Sequence, residues 1–180
     1  MTPGPGPLRL VAATTGAEQT RALARAVAPL CAPGDVLLLA GDLGAGKTTF
    51  AQGFGAGLGI TEPMTSPTFT LVRQYPVGPR STGPPQGGVR TLLHADVYRL
   101  GTLQEIADLG LGEQVEDEGV ALVEWGDVAE SVLGRGSLSV RLAVADDDDH
   151  RVITFTSPEG SWSERWTALR TALGQWLVDG

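Results

Sequence analysis

Apolar positions along the first third of the chain recur at spacings that separate strands from helices. The segment LRLVAAT at 8–14 reads as a short strand, and AEQTRALARAVAPLC at 17–31 places its large apolar residues on one face of a helix. The run DVLLLA at 35–40 is almost entirely apolar, as expected for a strand buried on both faces of a parallel sheet. A helix is predicted over 47–59, although its second half is rich in glycine.

The rest of the chain continues this mixture and ends with a hairpin and a helix. Strands are predicted at 68–75, 89–100, 120–125, 138–145 and 150–157, helices at 103–117, 127–134 and 161–180, and a flexible proline- and glycine-rich loop at 76–88. Because helices and strands alternate before the hairpin, we predict an α/β fold with a mainly parallel sheet, an added antiparallel hairpin and a C-terminal helix. The 180 residues are predicted to form one domain, in which 1–7 is a disordered leader.

Composition argues against a protein that binds nucleic acid on its own. The net charge is −8 and the isoelectric point about 4.7, whereas surfaces that hold nucleic acid are usually basic. We find no signal sequence and no apolar run of about eighteen residues, the length that suggests a membrane span. The single cysteine, Cys31, cannot form an internal disulfide. We therefore expect a cytoplasmic protein without membrane association.

Candidate chemistry begins where the third predicted element ends. The segment GDLGAGKT follows a predicted strand, opens a predicted helix, and matches the phosphate-binding pattern G-x-x-x-x-G-K-[ST]. Glycines let phosphate oxygens approach backbone N–H groups, which the positive end of the helix reinforces. The predicted nucleotide-binding residues are Gly41, Asp42, Leu43, Gly44, Ala45, Gly46, Lys47, Thr48 and Thr49. This motif makes the predicted fold P-loop NTPase-like, and Lys47 is also the only lysine of the chain.

Two acids at predicted strand ends are candidates to complete the site. Ligands of α/β sheets lie at the carboxyl ends of strands, so both Asp96 and Glu124 could face the phosphates. Spacing alone lets either acid hold Mg²⁺, directly or through water. His94 lies on the same side of its strand as Asp96 and either orients that acid or is simply packed. Trp125 is either a core residue or faces the nucleotide.

The segment SPTFT precedes a predicted strand and suggests a loop that responds to the γ-phosphate. Thr68 lies about twenty residues after the glycine-rich loop, where many P-loop hydrolases place a sensing threonine, although an ordinary turn would explain it too. The guanine-reading NKxD motif is absent from the sequence, which favours ATP over GTP.

Four motifs together resemble the TsaE (YjeE) family of bacterial ATPases. They are GDLGAGKTTF, SPTFTLV, HADVYRL and LVEW, in the order and at about the spacing of that family, and they span roughly residues 15 to 126. The family pattern H-x-D-x-Y-R is met by His94, Asp96, Tyr98 and Arg99. The sequence departs from the family in its longer 76–88 insert and in Gly126-Asp127, where a proline is common.

This resemblance implies a function and a role for each motif residue. The family hydrolyses ATP with the partners TsaB and TsaD while threonylcarbamoyladenosine is made in tRNA, so the tRNA would be reached only through the complex. It implies that Lys47 holds phosphates, that Thr48 and Glu124 bind Mg²⁺, and that Asp96 lies near the attacking water. Thr68 would belong to a switch-like loop, and Trp125 would be important for activity. The cofactors implied are ATP and Mg²⁺.

Two other functions remain open on the sequence alone. A small-molecule kinase would need an arginine-rich lid, for which Arg135 and Arg141 are too few. A nucleotide-dependent switch would bind nucleotide without useful turnover. If the chain is a hydrolase, we expect slow turnover in isolation, because neither Arg73 nor Arg99 can be assigned as an arginine finger from sequence.

Overall fold

The structure is a computed structural model that describes residues 7–78, 88–134, 136–158 and 162–178. Its strands are β1 (Leu8–Thr14), β2 (Val36–Ala40), β3 (Val72–Pro76), β4 (Thr91–Asp96), β5 (Gly119–Glu124), β6 (Leu138–Val144) and β7 (Arg151–Ser157). Its helices are α1 (Ala17–Val27), α2 (Lys47–Gly57), α3 (Leu103–Asp108), α4 (Leu111–Val115), α5 (Gly126–Leu133) and α6 (Trp166–Leu173). The predicted leader up to residue 6, the centre of the predicted 76–88 loop and Arg135 lie outside the described residues.

All seven strands form a single sheet in the order β1-β7-β6-β2-β5-β4-β3. The pairs β2–β5, β2–β6 and β4–β5 are parallel, whereas β1–β7, β6–β7 and β3–β4 are antiparallel. The fold is thus α/β with the predicted β6–β7 hairpin, but the sheet is mixed rather than mainly parallel. The parallel strands occupy its centre, and antiparallel strands extend both sides.

Helices cover the sheet on both faces, which explains why the central strands are apolar throughout. Every residue of β2 is buried, because its odd-numbered leucines face α1, α2 and α6 while its even-numbered side chains face α3, α4 and α5. The first face contains the largest buried side chains, among them Phe50, Phe54 and Trp162. None of the helices in the described part of the chain is long and apolar enough to cross a membrane.

Three predicted elements are shorter than their patterns suggested. The strand predicted at 68–75 begins only at Val72, because the amides of Thr70 and Leu71 close a turn on the carbonyl of Pro67. The strand predicted at 89–100 is confined to β4. The helix predicted at 161–180 is reduced to α6 and one following 3-10 turn.

The segment that was predicted to begin the last helix contains a buried tryptophan, Trp162. It lies in the turn before α6, fully buried, beneath the guanidinium of Arg165 at 4.1 Å from the ring centroid. Trp166 and Trp176, the two tryptophans that follow it, pack against the core but remain partly exposed.

Candidate functional site

A glycine-rich loop joins the central strand β2 to the first residue of α2. Gly41, Gly44 and Gly46 all have positive φ, of 145°, 80° and 104°, conformations that residues with a Cβ rarely adopt. A Cβ on Gly41 would also lie 2.4 Å from the carbonyl oxygen of Leu142 on β6, so a side chain there would push the loop off the sheet. The strand therefore fixes where the loop starts, and the glycines let it turn into the helix.

Arg151 holds this loop from the side of β7. Its guanidinium donates to the carbonyls of Ala45 at 2.9 Å and Gly44 at 3.2 Å, and also to that of His150 at 3.0 Å. The sequence carried no signal for this residue, since nothing in HRVITFTS links a strand residue to a loop about one hundred positions earlier. Only the pairing of β7 beside β6 brings it there.

Lys47 lies folded back on the loop that precedes it. Its ammonium donates to the carbonyl oxygens of Gly41 at 2.7 Å and Asp42 at 2.9 Å, and it lies 3.9 Å from the ring centroid of Trp125. Burial lowers the pKa of Lys47, while nearby carboxylates, Glu124 foremost, act in the opposite direction. The chain's only ammonium side chain is therefore held between loop carbonyls, an aromatic ring and acids.

Glu124 ends β5 beneath the first turn of α2. The hydroxyl of Thr48 donates to the two oxygens of its carboxylate at 3.2 and 3.4 Å, and Nε2 of His94 lies 2.9 Å from Oε1. His94 was expected to orient Asp96 or to be merely packed, but its partner is Glu124. A hydroxyl and a carboxylate are thus side by side at the start of α2.

Asp96, at the end of the neighbouring strand β4, has different partners. Its Oδ2 accepts from the hydroxyls of Ser66 at 3.1 Å and Thr68 at 3.3 Å, and its Oδ1 accepts from the amide of Tyr98 at 2.9 Å. The SPTFT segment is therefore attached to an acid at the end of a strand, not merely a turn into β3. Ser66 was part of the predicted segment but was not itself singled out.

Aromatic and apolar side chains form the rim of the site. Trp125 is in the left-handed conformation with φ 62°, and its ring lies 4.6 Å from that of Tyr98. Leu43 is 90% exposed and Phe69 85% exposed, and the guanidinium of Arg99 lies 4.7 Å from the Phe69 ring centroid. Trp125 therefore faces the site as well as the core, which the sequence had left undecided.

Between the glycine-rich loop and the two acids lies a cleft of about 470 Å³. It is lined by Leu43, Gly44, Gly46, Lys47, Thr48, Thr49, Ser66, Thr68, Asp96, Tyr98, Glu124 and Trp125. The structure thus brings together both predicted acids, the predicted threonines and half of the glycine-rich loop. The other predicted loop residues, Gly41, Asp42 and Ala45, line a smaller cleft beside β6.

The cleft offers chemistry for an anionic ligand bound with a hard cation. The glycine-rich loop and the N-terminus of α2 present backbone N–H groups, to which the ammonium of Lys47 adds a positive charge. The oxygens of Thr48 and Glu124 are ligands of the kind that Mg²⁺ prefers. Among the described residues, no cluster of three or more His, Cys, Asp or Glu side chains could hold a metal ion by itself.

Comparison with known proteins gives the chain a family. A family model described as threonylcarbamoyl adenosine biosynthesis protein TsaE matches residues 14–153. The tRNA threonylcarbamoyladenosine biosynthesis protein TsaE of Bacillus subtilis (strain 168) is 46% identical over 144 residues, covering 80% of this chain and 83% of that protein. The protein of the same name from Streptomyces coelicolor is 42% identical over 150 residues, covering 81% of this chain and 93% of its own.

A solved structure supports the same relationship at the level of the fold. The crystal structure of Bacillus subtilis YdiB matches with a TM-score of 0.70 and 38% sequence identity, over 94% of this chain and 96% of that one. Because the match covers nearly the whole of both chains, the likeness is not confined to the glycine-rich loop.

Proposed function

The chain belongs to the TsaE family of threonylcarbamoyl adenosine biosynthesis proteins, and on this premise we propose that it hydrolyses ATP during that biosynthesis. It would act in a complex with TsaB- and TsaD-like proteins, in the cytoplasm. The net charge of −8 supports a subunit that leaves the tRNA to its partners. The observation that carries the proposal is the cleft in which Lys47, Thr48, Asp96 and Glu124 converge.

The topology supports a P-loop NTPase-like fold. The glycine-rich loop leaves the carboxyl end of β2, the central parallel strand, where ligands of open α/β sheets bind. In this proposal the phosphates of ATP lie on the loop and on the N-terminus of α2. Lys47 would give up the carbonyls of Gly41 and Asp42 to bind phosphate oxygens, and Trp125 limits where its ammonium can move.

Thr48 and Glu124 are the residues that would hold Mg²⁺. Mg²⁺ is usually held by one or two protein oxygens together with substrate phosphates, and the adjacent hydroxyl and carboxylate fit that pattern. When bound, the ion would neutralise negative charge that develops on the phosphate oxygens. The protein contributes a buried, fixed carboxylate, since Glu124 is only 3% exposed.

Asp96 is proposed to orient the attacking water. Its carboxylate lines the cleft, and its present partners, the hydroxyls of Ser66 and Thr68, belong to the loop expected to respond to the γ-phosphate. Once the γ-phosphate orders this loop, the Asp96 carboxylate would be able to accept a proton from water. Water would then attack the γ-phosphorus in line with the bond to the leaving ADP, releasing phosphate.

A further cleft, smaller than the two already described, marks the side of the loop on which the nucleoside would lie. It measures about 100 Å³ and lies between the start of α1, Thr49 of α2 and Arg151 of β7. Since β6 and β7 lie on the opposite side of β2 from Glu124, this cleft is on the far side of the loop from the acids. ATP with its γ-phosphate toward Glu124 would direct its nucleoside there.

We expect the isolated protein to turn over slowly. Within the described residues the lining of the larger cleft includes no arginine. Arg73 donates to the hydroxyl of Thr65 at 2.9 Å, and Arg99 stacks on Phe69. A cation supplied or repositioned by a partner would raise the rate, because arginine fingers are worth about 10³–10⁵ in kcat.

The test is a phosphate-release assay with and without TsaB and TsaD, followed by tRNA modification in the reconstituted system. We expect Lys47→Ala and Glu124→Gln to abolish phosphate release and tRNA modification. Glu118→Gln, which removes an exposed acid, should leave both activities unchanged. Phosphate transfer to a metabolite in place of release would favour a kinase. If the Glu124→Gln variant still supports tRNA modification, a nucleotide-dependent switch would be favoured.

A further inference from the structure

A buried histidine lies beneath the acid proposed to bind metal. His94 is fully buried on β4, and Glu124 ends the adjacent parallel strand β5. Both side chains face α2, because Leu92 and Leu122, two residues before them on their strands, belong to the core on that side. Nε2 of His94 lies 2.9 Å from Oε1 of Glu124.

The partner determines which ring nitrogen carries the proton. The carboxylate can only accept, so Nε2 must be the donor. Nδ1 has no hydrogen-bond partner among the described residues, and a proton on it would be a buried donor left unsatisfied. A proton on Nε2 satisfies the one contact that the ring makes.

Packing alone does not account for this residue. Burying a polar ring costs free energy unless it is hydrogen-bonded, and a leucine would fill a similar space without that cost. Asp96, the partner expected from sequence, already accepts from Ser66, Thr68 and Tyr98. The bond to Glu124 is therefore what the imidazole supplies.

We propose that His94 is a positioning residue that orients the Glu124 carboxylate for the metal. Donation to Oε1 from below fixes the rotation of the carboxylate, so that both of its oxygens stay beside the hydroxyl of Thr48. Groups that orient metal ligands in this way commonly contribute about 10–100-fold to metal affinity or activity. The inference rests on the proposed function, because it assumes that Glu124 holds the ion.

The test measures how strongly the metal couples to nucleotide binding. ADP is titrated by calorimetry into the full chain with excess EDTA and with excess Mg²⁺, and the ratio of the two affinities is compared between variants. We expect His94→Leu to reduce the ratio of the ADP affinity in Mg²⁺ to that in EDTA about tenfold or more, while the affinity in EDTA is retained. His94→Gln should reduce the ratio less. Leu92→Ala, a core truncation on the same face of β4, should leave the ratio unchanged.

A measurement on the unsubstituted protein keeps the inference testable if His94→Leu does not fold. The chain has two histidines, and His150 is partly exposed whereas His94 is fully buried, so the ring nitrogens of His94 can be assigned by NMR. We expect a slowly exchanging proton on Nε2 whose resonance moves on Mg²⁺–ADP addition and in Glu124→Gln. A ring whose Nε2 carries no proton would overturn the inference.

The outcomes separate the inference from the proposed function. If unsubstituted protein binds ADP equally well with and without Mg²⁺, the metal role of Glu124 is wrong and the role of His94 falls with it. If the metal strengthens binding equally in unsubstituted protein and in His94→Leu, only the inference about His94 is wrong.

Discussion

Asp96 and Glu124 are opposite each other in the register of β4 and β5, yet they differ in every polar contact that their side chains make. Glu124 bonds with Thr48 and His94, which belong to the helix and the strand below the cleft. Asp96 bonds with the hydroxyls of the Ser66–Thr68 loop. Two acids that spacing alone could not distinguish therefore divide into one beside Thr48 at the start of α2 and one bonded to the Ser66–Thr68 loop.

This division predicts different defects for two conservative substitutions. Asp96→Asn should lower kcat about 10²-fold or more while Mg²⁺-dependent ADP binding is kept, because the amide cannot accept a proton from water. Glu124→Gln should abolish the Mg²⁺ dependence of ADP binding itself. Steady-state kinetics and calorimetry measure the two effects. Asp108→Asn, an exposed change of the same kind on α3, is the control. Equal loss of metal dependence in both site variants would contradict the division.

Cys31 lies far from this chemistry and gives a probe of the fold. It is 2% exposed, and burial, with a further contribution from Asp35, raises the pKa of its thiol well above the usual range. The raised pKa stabilises the folded state below the thiol's unfolded pKa, and that stability is lost as the pH rises above it.

We therefore expect Cys31 to react with a disulfide reagent only when the protein opens. Labelling of the native protein at neutral pH should be at least about 10²-fold slower than labelling in denaturant, since thiolate is the reactive form. Absorbance of the released thiolate measures both rates. Equal rates in native and denaturing buffer would show that Cys31 is accessible.

At the scale of elements, the glycine-rich loop depends on strands far away in the chain. Gly41 abuts the carbonyl of Leu142 on β6, and Gly44 and Ala45 are held by Arg151 on β7. The position of the hairpin against β2 therefore sets the shape of the loop. Alterations to β6 or β7 should change nucleotide affinity even though neither strand lines the larger cleft.

Alanine substitutions at three glycines should separate crowding from backbone strain. Gly41→Ala combines positive φ with the 2.4 Å approach to Leu142 and should cost more than about 2 kcal/mol of unfolding free energy. Gly44→Ala has open space around the Cβ, so it should cost only the strain of its φ, about 1 kcal/mol. Gly112→Ala within α4 should be neutral or stabilising. Urea denaturation gives the ranking, and a Gly44→Ala cost equal to that of Gly41→Ala would contradict it.

The same dependence explains what sequence could and could not predict. Strand and helix positions followed from apolar periodicity, and the motif residues gathered at the cleft because β2, β4 and β5 are parallel and end together. Arg151 could not be found, since its role comes from strand order, which periodicity does not encode. The shortened β3 was missed because the Pro67 turn uses residues that also suit a strand.

At the scale of the whole molecule, hydrogen bonds and an ion pair hold α6 against one face of the sheet. The guanidinium of Arg165 donates to both carboxylate oxygens of Asp35, at 2.5 and 2.9 Å, and to the carbonyl of Leu30 at 2.9 Å. Asp35 is 6% exposed and also accepts from the amide of Ala32 at 2.7 Å. These bonds join the end of the first helical segment, the start of β2 and the last helix.

Removing that connection should destabilise the fold without altering the site. Arg165→Ala leaves the Asp35 carboxylate buried without its ion partner and should cost about 2–3 kcal/mol of unfolding free energy. Arg170→Ala, an exposed change on the same helix, should cost less than about 0.5 kcal/mol. Chemical denaturation measures both, and ADP affinity at low temperature should be unchanged. A cost for Arg165→Ala as small as that of Arg170→Ala would contradict this account.

The edge position of β1 has a consequence for synthesis on the ribosome. β1 pairs with β7 from Leu8↔Ser157 to Thr14↔Arg151, and the amide of Val178 donates to its Val11 carbonyl. At about 5–20 residues per second, this early segment waits on the order of ten seconds for its neighbours to be translated. A nascent chain stopped before β7 would leave β1 unpaired and the glycine-rich loop without its arginine. Such fragments should be cleared by proteases instead of retaining partial activity.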